Sequence, residues 1–203
     1  DIFKAYCTPL VIEVDGQPQL ISPASKAVLA YDPDTGKELW RVRYSGFSAT
    51  AQPLYDGRRL YINTGFSKAE LLAVRPDGSG DVTDSHVQWQ VKKTIGSKPS
   101  QLLVDGGIYN VHDKGVVSCF NAATGEERWS QRLKGQFSAS PLLAGGKIYL
   151  FNHEGHAWVL APGDEYRLLS MNELESGGLA TPAVYGNSLL WRSKTHLYRI
   201  GAR

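Results

Sequence analysis

No stretch of the 203 residues approaches the roughly 18 consecutive apolar residues of a membrane-crossing helix. No segment carries a convincing amphipathic-helix period either. A dominant charge is also lacking. The formal net charge of +2 is too small to argue for nucleic acid, and neither a basic stripe nor an aromatic-on-basic platform stands out. Cysteine is scarce, with Cys7 and Cys119 alone. The chain opens on Asp1 without a charged-then-apolar leader, so no secretion signal is expected in it; a mature exported protein would look the same. What is plentiful is turn and strand chemistry. There are 21 glycines, ten prolines, five tryptophans and ten tyrosines in a chain 42% hydrophobic and 21% charged, the profile of a soluble, turn-rich β protein.

The segment Tyr31–Trp40 reads YDPDTGKELW, and Phe120–Trp129 reads FNAATGEERW. A catalytic motif has no need of a copy, whereas a structural unit stacked beside itself does. Prolines in short apolar segments give the period: Pro9, Pro53, Pro99, Pro141 and Pro182 stand 44, 46, 42 and 41 residues apart. Each is followed by a turn signal, from Asp15-Gly16 through Asp56-Gly57, Asp105-Gly106 and Gly145-Gly146 to Tyr185-Gly186-Asn187. Such pairs suit the positive φ angles of two-residue hairpins. A second strand (RLYINTG, GIYNVHD, KIYLFNH) and a third (AVLAYD, ELLAVR, VVSCFN) follow, and the Thr-Gly turn leads into a fourth (ELWRV, ERWSQR). Four short strands in about 42 residues are the content of a β-propeller blade.

The predicted fold is therefore all-β, one β-propeller segment over 1–203 with four-stranded antiparallel blades at approximately 6–46, 47–94, 95–134, 135–175 and 176–203. The second blade carries an insertion, RPDGSGDVTDSHVQW, that runs to Trp89. The fourth replaces the tryptophan with a leucine of DEYRLLS, and the fifth stops after HLYRIG without a fourth strand. An unfinished blade leaves unpaired backbone, an edge that folded proteins cover, and Asp1–Tyr6 offers only a short strand for it. The expectation is a ring of seven or eight blades completed by residues outside the chain, with closure as five blades the alternative. Cys119 stands where Ala30 stands in the first blade. Two blades apart, Cys7 and Cys119 are expected to exceed the roughly 7 Å Cα limit of a disulfide and to serve as small buried apolar residues.

Trp40, Trp89 and Trp129 each follow a glycine-containing turn and sit in the outer strand, where an indole can lie against the neighbouring blade. Burying roughly 200 Å² at about 25 cal/mol per Å² contributes at most about 5 kcal/mol per ring. The decapeptide reads as a blade-to-blade clamp. Its residues Ala30, Asp32, Thr35, Gly36 and Trp40, with Asn121, Thr124, Gly125 and Trp129 in the second copy, resemble the tryptophan-docking repeat of the pyrroloquinoline quinone (PQQ)-like, quinoprotein alcohol dehydrogenase-like β-propellers. The resemblance covers essentially the whole chain. It is strongest in blades one and three, is modified around Trp89 in blade two, and is weak in blades four and five. It implies an exported, periplasmic bacterial protein. It also implies one of two functions. One is a non-catalytic scaffold or binding module, as in the propeller lipoprotein that assists outer-membrane β-barrel assembly. The other is a PQQ-dependent dehydrogenase whose site lies largely in blades absent from the chain.

For the dehydrogenases, the resemblance implies a quinone held over a tryptophan near two adjacent cysteines, calcium bound by Glu, Asn and Asp, and an Asp base. No adjacent cysteine pair occurs here. Asp15, Asp34, Asp56, Asp77 and Asp105 fall in turns, where aspartate is usually a local backbone acceptor. No catalytic, cofactor or metal residue is assigned. No cofactor is expected, PQQ with calcium belonging only to the alternative. His153, Glu154 and His156 in NHEGHAW read as a hairpin turn, because two histidines three apart on a strand tend to point to opposite faces.

Lysine, by contrast, recurs where turn chemistry does not ask for it. In a propeller the turns joining strands two and three share a face with the links between blades. Those turns hold Lys26, Lys68, Lys114 and Lys194, and the links add Lys92, Lys93, Lys98 and Lys134. The four turn lysines are read as a partner-binding face for a protein or an anionic polymer, with no nucleic-acid partner and no membrane span. Phe47, Phe66 and Phe137 also fall in links or turns. Exposed on one face they would suit a carbohydrate-binding propeller, but packing between blades explains them equally well.

Overall fold

A computed structural model describes residues 4–201 and is built almost wholly of antiparallel sheet. It divides into two compact units, Asp1–Ser97 and Lys98–Arg203.

The first unit holds two sheets. Strands β1 (Leu10–Val14), β2 (Gln17–Pro23), β3 (Ala27–Tyr31) and β4 (Glu38–Arg43) form the first, in sequence order. Strands β5 (Leu54–Tyr55), β6 (Leu60–Asn63) and β7 (Leu71–Val74) begin the second. The insertion then supplies β8 (Gly80–Asp81) and a single-turn helix α1 (Thr83–His86) before β9 (Val87–Val91) completes the second sheet. The sequence marks this stretch only as an interruption. In the structure β8 joins the first sheet as a fifth strand, parallel to β4, with Trp40 opposite Gly80 and Arg41 opposite Asp81. Arg43 anchors it, its side chain 2.7 Å from the Asp81 carboxylate and its backbone N–H donating to Thr83 Oγ1.

The second unit holds three sheets. β10 (Leu102–Val104), β11 (Gly107–Val111), β12 (Val116–Asn121) and β13 (Glu127–Arg132) form one. β14 (Leu142–Ala144), β15 (Lys147–Phe151), β16 (His156–Leu160) and β17 (Leu168–Glu173) form the next. β18 (Ala183–Tyr185), β19 (Ser188–Arg192) and β20 (Leu197–Gly201) form a three-stranded sheet among the described residues. Of the strand foreseen over Asp1–Tyr6, Asp1–Phe3 lie outside the described residues. Lys4 and Tyr6 exchange backbone hydrogen bonds with Ser48 and Ala49 in the link after β4.

The hairpins follow from local chemistry. Asp15 and Gly16, and again Asp105 and Gly106, take positive φ at both central positions, the conformation whose twist matches the flanking strands. Period-two alternation then turns apolar residues of adjacent sheets toward each other. In the first unit Ile21, Val28 and Val42 meet Leu60, Ile62 and Val74. In the second, Val111 and Val117 meet Ile148 and Leu150, while Phe151 and Ala157 meet Leu189 and Trp191. The core is thus a series of seams between neighbours, as expected of repeats. The third-to-fourth strand pairing shifts register at one equivalent place in four sheets, after Ala30, Ala73, Cys119 and Val159. That bulge fixes the residue opposite each of these positions: Trp40, Trp89, Trp129 and Ser170. The fourth sheet therefore puts Ser170, and not the expected leucine, at the tryptophan position.

Candidate functional site

The repeated decapeptide divides into a turn and a clamp. In the first copy the Asp32 carboxylate accepts the backbone N–H groups of Asp34 and Thr35, both at 2.9 Å. Those bonds, Thr35 first, hold its carboxyl below the usual carboxylate range. Gly36 closes the turn at φ +71°, donating to the Asp32 carbonyl. In the second copy Asn121 takes the place of Asp32, its Oδ1 accepting the Ala123 N–H at 2.8 Å, and Gly125 closes at φ +75°. The Thr35 and Thr124 hydroxyls accept the N–H groups of Lys37 and Glu126.

Beyond the turn stands the tryptophan, opposite a small residue. Ala30 faces Trp40, Ala73 faces Trp89 and Cys119 faces Trp129, so Cys119 is buried as a small filler. Burial pushes its thiol pKa up. Trp129 donates its indole N–H to the Gly163 carbonyl at 3.1 Å, in the turn between β16 and β17, and meets the Tyr166 ring edge-on at 5.5 Å. Arg128 beside it pairs with Asp164 of the same turn at 2.7 Å. Trp40 is fully buried and reaches the corresponding turn of the second sheet through a relay. Its N–H donates to Gln19 Oε1 at 2.8 Å, and Gln19 Nε2 donates to the Pro76 carbonyl at 3.2 Å. Trp89 is half-buried and lies 5.8 Å from the Tyr61 ring. Gln19 was not singled out from the sequence. Its signal is its phase, two residues before Ile21 on the inward face of β2.

The lysine-bearing turns are held by hydrogen bonds between side chains and the turn backbone. Lys26, Lys68, Lys114 and Lys194 are all exposed. In the turn of Lys26 the Tyr44 hydroxyl lies 2.8 Å from the carbonyls of Ala24 and Ala27, and burial raises its pKa. Lys68 sits in a turn where Thr64 Oγ1 accepts the Glu70 N–H, and Lys114 donates its own N–H to His112 Nδ1. At Lys194, Ser193 Oγ accepts from Thr195 and His196. These turns lie against the links: Lys26 N–H bonds Gly46, Leu133 N–H bonds Gly115, and Lys194 N–H bonds Gly177.

The fourth sheet's equivalent turn holds Glu154 in place of lysine. Asn152, fully buried, organises it by accepting the N–H groups of Glu154 and His156. His153 lies 2.8 Å from Ser138 Oγ, and burial pulls its pKa down. His156 turns to Trp158, and the Glu154 carboxylate accepts the Gln136 N–H. The three side chains of NHEGHAW thus serve separate partners. Among the described residues no three His, Cys, Asp or Glu side chains gather to hold a metal ion. Cys7 is half-buried rather than buried, near the Pro23 carbonyl, and both cysteines are free thiols. Phe137 is buried, whereas Phe66 is exposed and meets Phe47 edge-on at 5.5 Å.

Comparison with known proteins places this arrangement. A family profile described as outer membrane protein assembly factor BamB matches residues 9–107 and 80–175. No curated protein sequence matches the chain significantly. Among solved structures, BamB from Moraxella catarrhalis superposes with a TM-score of 0.70 at 15% identity, over 96% of this chain and 59% of that one. The chain therefore spans less than two thirds of that structure's length, and at such identity the likeness is one of fold. A europium-containing methanol dehydrogenase gives a TM-score of only 0.47 at 15% identity, over 60% of this chain and 24% of that one. With four-stranded antiparallel sheets, a repeated tryptophan clamp and profile matches that span most of its length, the chain belongs to the PQQ-like β-propeller family described as outer membrane protein assembly factor BamB.

Proposed function

We propose that the chain is a non-catalytic binding module of an exported, periplasmic bacterial propeller protein, and that its lysine-bearing turns dock an acidic protein surface. The observation that carries this reading is the recurrence of an exposed lysine on the turn between the second and third strands. Lys26 and Lys68 provide it in the first unit, Lys114 and Lys194 in the second. In each turn a side chain hydrogen-bonds the backbone, so the lysines project from turns of defined shape. The family's description as an assembly factor of the outer membrane supports both the protein partner and the export. In this reading the five sheets are part of a larger ring of seven or eight blades, which their span of 59% of the BamB structure supports.

One charge pair about 10 Å apart contributes only about 0.4 kcal/mol in water, and salt screens it. Useful affinity therefore requires several lysines engaged at once by a polyvalent acidic surface. The test is titration with poly-L-glutamate at two ionic strengths, comparing the protein with a Lys26→Glu, Lys68→Glu, Lys114→Glu variant. Binding should weaken with salt and disappear in the variant. Equal binding by both proteins would overturn the assignment.

A further inference from the structure

The last strand of a sheet presents a free backbone edge, which folded proteins cover or guard with charge. The edge of β4 is covered by β8. That of β13 carries Glu127, Arg128 and Arg132. The edge of β9 is polar, with Gln88 and Gln90 bonded to Arg59 and Glu70. β17 has neither device. It ends its sheet among the described residues, reads LLSMNE and is exposed along its whole length. Register shows where the change lies. Leu168 occupies the place of Glu38 and Glu127, Met171 that of Arg41 and Ser130, and Glu173 that of Arg43 and Arg132. Leu168 and Met171 stand opposite Leu160 and Trp158, which are buried in the seam with the third sheet, and cross-strand pairs share one face. The two apolar side chains are nevertheless 45% and 54% exposed. Their face is not the one toward the last sheet, so the three-stranded state of that sheet does not account for the exposure.

The first sheet shows what such an edge accepts. β8 lies parallel to β4, with the Val82 N–H donating to the Arg41 carbonyl at 2.9 Å and the Arg43 N–H donating to Thr83 Oγ1 at 2.9 Å. Asp81, opposite Arg41, pairs with the Arg43 side chain at 2.7 Å. By register, the same backbone groups on β17 are the Met171 carbonyl and the Glu173 N–H. The charge there is reversed. Glu173 stands in place of Arg43, and Glu175 is exposed just beyond it. A strand that pairs with β17 therefore needs a cation where β8 has Asp81, and apolar side chains to meet Leu168 and Met171.

We propose that β17 binds, by strand addition, an extended partner-protein segment that is apolar and carries a lysine or arginine facing Glu173. The site uses none of the lysine-bearing turns, so either assignment can fail alone. The probe is the capped peptide VSVKVTV, whose lysine takes the place of Asp81, titrated into the isotope-labelled intact protein. Saturable amide shifts centred on Met171, Asn172 and Glu173 are expected in its NMR spectrum. Replacing the peptide lysine with glutamate should weaken binding about threefold, and a Glu173→Lys protein should reverse that preference. N-methylation of the valine after the lysine, which is placed as Val82 is, removes the donor to the Met171 carbonyl and should weaken binding about fivefold. Absence of saturable shifts, shifts away from β17, equal binding of the lysine and glutamate peptides, or indifference to N-methylation would each overturn the proposal. So would concentration-dependent dimerisation abolished by Met171→Lys, which would make the edge an interface between copies of this chain.

Discussion

Trp129 hands its indole N–H to the carbonyl of Gly163 in the next sheet, and Tyr109 closes the same turn by accepting the Gly163 N–H at 2.7 Å. Trp40 reaches the equivalent turn only through Gln19. The clamps of Trp40 and Trp129 therefore combine an apolar ring in the seam with a polar end on a neighbouring turn. This explains why the decapeptide recurs: its turn aims the strand, and its tryptophan joins that strand to the following sheet.

Replacing Gln19 with leucine should expose what the relay contributes. The indole N–H of buried Trp40 and the Pro76 carbonyl would both lose their partner, at a cost of about 1–3 kcal/mol. Trp40→Ala removes the ring itself and should cost about 3–5 kcal/mol. Urea unfolding measures both through the midpoint. A Gln19→Leu midpoint equal to that of the wild-type protein would show the relay to be dispensable.

Gly155 tests the contact between a turn and its link. It sits at φ +100°, and an added Cβ would run into the Leu174 carbonyl, whereas Gly16 at φ +76° has open space around it. Gly16→Ala should cost about 1 kcal/mol for the left-handed conformation alone. Gly155→Ala adds a backbone collision and should cost clearly more. Similar losses for the two variants in urea unfolding would contradict the packing.

The edge strand β8 should be sensitive to acid. A hydrogen bond from the Thr83 hydroxyl, and then one from Arg43, lower the Asp81 pKa to about 2. The unfolded value is about 3.9, so the folded pKa is the depressed one. Its support is complete above about pH 4 and is lost as pH falls through about 2. The Val82 N–H, bonded to the Arg41 carbonyl at 2.9 Å, reports on this edge. Its hydrogen-exchange protection, corrected for intrinsic rate, should decline toward pH 2 and already be reduced at neutral pH in Asp81→Asn. Protection that persists at pH 2 would mean that Asp81 does not hold the strand.

Turn signals and period-two runs made the blades legible, because Asp15-Gly16, Asp105-Gly106 and the Asp32 and Asn121 turns are specified by a few neighbouring residues. What depended on distant partners was not legible. Gly80 and Asp81 have no strand propensity and become β8 only because β4 offers an edge. Linear spacing puts a leucine at the fourth tryptophan position, whereas the turn from Leu160 to Leu168 is one residue longer than those from Tyr31 to Glu38 and from Phe120 to Glu127, which brings Ser170 opposite Val159. Gln19 looks like an ordinary polar strand residue until Trp40 and Pro76 are brought to it. The lysine turns were located by their spacing, but Thr64, His112 and Ser193, which hold three of them in shape, emerge only from the hydrogen bonds.

The reading as a binding scaffold, against a quinone enzyme, is tested most directly by calorimetric titration of the intact protein with PQQ and calcium. The account predicts no saturable heat from folded protein. Saturable one-site binding would contradict it and make the propeller a quinoprotein.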